Sequence, residues 1–127
     1  MTALGASFSP RRASGRTLDW QQAFRRLLEL GLSPLRLSTY WYSVDSDGYR
    51  ELDWQLAEAE RAGREVVLTL GMKAQGWPEF AIPDRLMPTV RRGANVVRSA
   101  PELREAAVEL VRSTITRYRD RRCITAW

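Results

Sequence analysis

Two aromatic-rich stretches hold the side chains with which this 127-residue chain could do chemistry. The first carries Tyr40, Trp41, Tyr42, Ser43, Asp45 and Asp47; the second carries Met72, Lys73, Gln75, Trp77 and Glu79. Tryptophan and tyrosine beside carboxylates, an amide and a lysine suit a sugar. The rings cover the apolar C–H face of a pyranose while the polar groups bind its hydroxyls. Loop aromatics serve equally well as packing, so composition alone leaves carbohydrate binding as one reading among others. Several chemistries are excluded outright. The chain has no histidine and one cysteine, Cys123. That removes Ser-His-Asp and Cys-His nucleophile systems, His-based metal sites and any internal disulfide. Neither a metal nor a cofactor is expected.

The formal net charge is +5, and Lys73 is the one lysine among 20 basic residues. Nucleic-acid binding asks for basic residues clustered on one face with interleaved aromatics. Here the arginines are scattered along the chain, and some sit at helical spacing from acids, as Arg25 does from Glu29 and Glu60 from Arg64. They read as solvated helix faces, and no nucleic-acid partner is expected. No apolar run approaches the roughly 18 residues needed to span a bilayer, so no membrane partner is expected either. The start, "MTALGASFSPRR", lacks the charged and apolar regions of a secretory signal, which points to a cytoplasmic protein.

Periodicity places these residues on an alternating framework. Leu4 to Ser9 reads as a first strand. A helix follows with Trp20, Phe24, Leu27 and Leu28 on one face. Asp19 and Gln22 are placed for a capping box, and Gly31 for its end. A second strand runs from Pro34 to about Trp41. A turn at Asp47-Gly48 leads to a helix that buries Leu52, Leu56 and Ala59 and stops at Gly63. "EVVLTL" is a continuous apolar run, expected when both faces of a strand are buried. A third helix begins near Pro101, with Ser99 and Glu102 placed for another capping box. Its inner face is Leu103, Ala107, Leu110, Val111, Thr114 and Tyr118, and Cys123 to Trp127 reads as a fourth strand. "LDWQ" occurs at Leu18–Gln21 and again at Leu52–Gln55, each time opening a helix that ends at glycine before a strand.

Such β-α alternation predicts an α/β fold with a parallel sheet. Two architectures compete: a complete small doubly wound domain, and a (β/α)8 barrel of about 250 residues. In the second, residues 1–127 are an incomplete single domain, about the first three and a half β/α units. A doubly wound nucleotide binder should carry a glycine-rich turn after its first strand. "FSPRRASGR" has one glycine there.

The segments "LRLSTYWYSVD", "GYRELDWQLAEAERAGREVVLTLGMKAQGWPEF" and "CITAW" resemble the amino-terminal half of clan-A glycoside hydrolases. The cellulase-like and β-galactosidase-like families are nearest. In them strand two often reads arginine-leucine followed by aromatics, and strand three leads to a tryptophan-proline-glutamate element, matched by Trp77-Pro78-Glu79. The ordered set covers nearly the whole chain and implies the partial TIM barrel. It also implies a retaining mechanism with an acid/base glutamate after strand four and a nucleophile after strand seven, about 5–5.5 Å apart. Neither glutamate is present in these residues, so no catalytic residue is assigned and the chain alone is expected to be inactive.

The same resemblance assigns substrate-binding roles to Arg36, Tyr40, Trp41, Lys73, Trp77 and Glu79. Arg36 alternates with Leu35 and Leu37 and so faces away from them. By resemblance it enters the barrel and holds the nucleophile ionised; otherwise it pairs with a neighbouring acid. Tyr40 and Trp41 either line the cleft or pack beneath it. Trp77 is the sugar-platform candidate, Lys73 a hydroxyl contact, and Glu79 a hydroxyl contact or a loop salt bridge. Cys123 is a small strand residue. The expected function is the amino-terminal part of an O-glycosyl hydrolase acting on β-linked carbohydrate. The alternatives are a non-catalytic carbohydrate-binding half-barrel that self-associates through exposed sheet edges, and the small doubly wound domain.

Overall fold

Local signals set most element boundaries in the computed structural model, which describes residues 4–73, 80–87 and 100–127. The strands are β1 (Ala6–Ser7), β2 (Leu35–Ser38), β3 (Val66–Thr69) and β4 (Ile124–Ala126). The helices are α1 (Pro10–Ser14), α2 (Trp20–Glu29), α3 (Trp41–Asp47), α4 (Arg50–Arg61) and α5 (Pro101–Tyr118), with a 3-10 turn at Asp84–Leu86. The Asp19 carboxylate caps α2, accepting from the Gln21 and Gln22 amides at 2.9 and 3.1 Å. Gly31 and Gly63 follow α2 and α4 with φ of 74° and 63°, a region that penalises a side chain and suits glycine after a helix.

Two expectations are corrected, and the last helix begins at Pro101 as expected. Ser9 and Pro10 start a helix directly after β1: the Ser9 hydroxyl accepts from the Arg12 amide at 3.3 Å and Pro10 needs no amide partner. β2 ends at Ser38, and Trp41 to Asp47 coil into α3 instead of forming an open loop. α5 begins at Pro101 with Ala100 as a cap lacking a side-chain hydrogen bond. Ser99, expected to cap it, lies outside the described residues.

The four strands are all parallel and lie in the order β1-β2-β3-β4. Leu35 pairs with Ala6 on one side and Val66 on the other, and Val66 pairs with Ile124. One sheet face is packed. Leu35, Leu37, Val66 and Leu68 are fully buried against Phe24 and Leu28 of α2, Leu52, Leu56 and Ala59 of α4, and Tyr118 of α5. The opposite face carries Ser7 and Arg36, both exposed, Val67 and Thr69, both half-buried, and Ser38, which is buried at the end of β2. β3 is therefore buried on one face, and the expectation that both sides of "EVVLTL" are covered is not met among the described residues. A second apolar cluster joins Tyr40 and Trp41 to Ala81, Leu86, Ala100, Leu103 and Leu110.

The order has a direct consequence. A doubly wound sheet reverses at a switch point, which sends helices to both faces. Here each crossover advances one strand the same way, and α2, α4 and α5 share one face. No reversal occurs among the described strands, so the doubly wound alternative is set aside.

Candidate functional site

Alternation along β2 turns Leu35 and Leu37 into the core and leaves Arg36 exposed on the uncovered face, as the sequence predicts. Its Nε donates to Thr69 Oγ1 on β3 at 3.3 Å. Arg36 shares a depression of about 460 Å³ at the end of β1 with Ser7, Ser9, Arg12 and Arg16. Its guanidinium is thus in water and fixed sideways by one hydroxyl, able to donate further hydrogen bonds to an oxygen-rich ligand.

Tyr40 and Trp41 behave differently. Each is only 3% exposed and belongs to the second apolar cluster. The Tyr40 hydroxyl donates to Ser9 Oγ at 2.7 Å, joining the end of β2 to the cap of α1. Trp41 has no ring face left for a sugar. Of the two readings of this pair, packing is the one their burial matches, and neither ring stands open to solvent as a substrate contact would. Lys73 is exposed after β3 and forms an antiparallel bridge with Phe80. Trp77 and Glu79 lie outside the described residues.

That bridge folds the chain back. The Ala81 amide donates to the Met72 carbonyl at 2.8 Å, and the Tyr42 amide donates to the Ala81 carbonyl at 3.0 Å. Residues 80–87 therefore lie along α3. The Arg85 guanidinium then meets Asp45 of α3: Nε donates to both carboxylate oxygens at 2.8 and 3.0 Å, and Nη2 lies 2.7 Å from Oδ1. Between α1, α3 and this segment is a depression of about 820 Å³. Tyr42, Ser43 and Asp45 line it, three residues of the aromatic-rich stretch, together with Trp20, Glu51 and Phe80 from other elements. Burial, with the nearby Asp47 carboxylate adding to it, pushes the Glu51 carboxyl above the ordinary range. Glu51 was not singled out in the sequence, because on α4 it reads as one more acid in a helical first turn. Only the approach of α1 and the 80–87 segment encloses it.

Burial, reinforced by Glu60, pushes the Cys123 thiol up to about 11; the residue, expected in the fourth strand, lies in the turn just before β4. Among the described residues no group of His, Cys, Asp and Glu side chains could hold a metal ion, and no helix is long and apolar enough to cross a membrane.

The chain matches no protein-family model, no curated protein and no solved structure.

Proposed function

We propose that this chain forms the first part of a (β/α)8-type barrel of an O-glycosyl hydrolase acting on β-linked carbohydrate, and supplies part of its sugar-binding face. The observation that carries the reading is the sequential parallel order of β1 to β4, with the long helices on one face and Arg36 on the other. A barrel needs that winding, with polar side chains entering at the carboxyl ends of its strands. Thr69 ends β3, Lys73 follows it, and Arg36 reaches Thr69 from within β2; all three can donate to or accept from sugar hydroxyls. Neither glutamate of a retaining pair has a counterpart in these residues, so the 127-residue chain binds and does not cleave. A second reading, a non-catalytic half-barrel that binds sugar as a self-associated assembly, is favoured by the uncovered face and the outer strands β1 and β4.

Calorimetric titration with a soluble β-linked oligosaccharide tests the binding. Arg36→Ala is expected to weaken it about tenfold, equivalent to ~1.4 kcal/mol and close to one hydrogen bond from a charged donor. Absence of binding to any β-linked glycan would remove the reading. Release of product from aryl β-glycosides by the purified chain would disprove its non-catalytic part.

A further inference from the structure

We infer that the depression between α1, α3 and the 80–87 segment is a second saccharide site, separate from the Arg36 face, which takes a neutral pyranose unit of an oligosaccharide. It rests on the carbohydrate reading for its ligand class, although its geometry is independent. Arg36, Tyr40, Trp41 and Lys73 are all absent from its lining.

Its volume, about 820 Å³, lies within the usual range for small-ligand sites. Three aromatic rings reach it from three places in the chain: Trp20 opens α2, Tyr42 lies on α3 and Phe80 follows the loop after β3. Each is held. Trp20 packs edge-on against Trp54 with centroids 5.1 Å apart, Arg11 lies 5.4 Å from the centre of the Tyr42 ring, and the backbone bridge to Lys73 fixes Phe80. Phe80 is nevertheless 55% exposed, an apolar ring presented to solvent beside a polar hollow.

The polar groups are equally specific. Arg85 fixes Asp45 by hydrogen bonds in which Oδ1 meets both Nε and Nη2, whereas Oδ2 meets Nε alone and keeps a lone pair for a hydroxyl donor. Glu51 is half-buried, and no hydrogen bond to its carboxyl is present among the described residues. A ligand hydroxyl can bond this carboxyl in either protonation state. The mixture of charges decides the ligand. Arg11 and Arg85 would repel a cation, whereas Asp45, Glu51 and Asp84 would repel an anion. A neutral polyol with one apolar face escapes both penalties and can use the exposed ring.

The test is calorimetric titration of the chain with cellotetraose, for the parent and for Phe80→Ala, Glu51→Gln and Arg36→Ala. Phe80 is too exposed for its loss to endanger folding, and far-ultraviolet circular dichroism checks each variant. Two binding events are expected. Phe80→Ala and Glu51→Gln should each weaken one of them at least fivefold and leave the Arg36-sensitive event unchanged. If both variants bind like the parent, the second site is wrong while the Arg36 reading stands. If Arg36→Ala is silent and the Phe80-dependent event remains, the reverse holds. Phe80-dependent binding of the glucosamine tetramer in place of cellotetraose would overturn the assignment to a neutral ligand.

Discussion

Glu58 is buried on α4, its side chain 8% exposed, and two arginines reach it. Arg25 of α2 donates at 3.0 Å and Arg61, one turn on, also pairs with it. Sequence spacing suggests Arg25–Glu29 and Glu60–Arg64. Instead Glu29 takes Arg26, Glu60 takes Arg121 at 2.5 Å, and Arg64 donates to the Leu28 carbonyl. Helical spacing shows which partners a lone helix offers, but α2 and α4 pack side by side and bring residues 33 positions apart within reach. The Arg25 hydrogen bond, assisted by Arg61 and opposed by burial, holds the Glu58 carboxyl below its ordinary range. A depressed carboxyl stabilises the fold above its unfolded pKa, and that contribution fades as pH falls through the folded value. Glu58→Gln should therefore cost about 1–2 kcal/mol in urea unfolding at neutral pH. The gap from the parent should narrow once the solution is acidic enough to protonate Glu58. A gap that stays constant down to that pH would remove the charge as its cause.

At the scale of elements, the two "LDWQ" copies are alike in sequence and unlike in role. In the first, Asp19 caps α2 from outside; in the second, Asp53 lies inside the first turn of α4. There Asp53 accepts from the Tyr118 hydroxyl at 2.8 Å and from Arg117 at 2.6 and 3.2 Å, tying α4 to α5. Burial alone would raise the Asp53 carboxyl, yet these two donors outweigh it and hold it below its usual range. The two tryptophans of the repeat meet each other edge-on, so the echo marks the seam between α2 and α4. β1 is held to the sheet by close backbone approach, with the Ala6 amide donating to the Pro34 carbonyl at 3.1 Å. A Cβ on Gly5 would stand 2.5 Å from that same oxygen. Gly5→Ala should thus loosen β1 and destabilise the chain by about 1–3 kcal/mol. Hydrogen exchange should then accelerate at Ala6 and Phe8, and unchanged exchange there would show that the strand shifts without cost.

For the whole molecule, the sheet face that the described helices leave open dominates. Arg36, Val67 and Thr69 face outward, and β1 and β4 are the outer strands of the sheet. Two parallel edges and a partly apolar face favour pairing with another chain. The weight-average mass in sedimentation should accordingly rise above 14.6 kDa with concentration. A single species of that mass at all concentrations would count against both the half-barrel and its pairing.

The alternation of apolar and polar residues made β2 legible, including the outward turn of Arg36, because a period of two needs no knowledge of neighbours. Asp19, Gly31 and Gly63 were legible as helix ends for the same reason: caps are satisfied within a few residues. Other features depend on packing between distant segments, which no local pattern encodes. Tyr40 and Trp41 carry the composition of a sugar platform, yet contacts with Ala81, Leu86 and Leu103 bury them. Glu51 reads as an ordinary helical acid until Trp20, Tyr42 and Phe80 gather round it. The strand order, too, was undecided by β-α alternation, since sequential and reversed sheets share that pattern. The sequence by itself determined the alternation of strands with the long helices and the facing of Arg36; the tertiary structure decided the short helices α1 and α3, the winding of the sheet and which aromatics remain open to solvent. Hydrogen bonds and periodicity act over a few residues, whereas burial is settled by the surfaces of the whole chain.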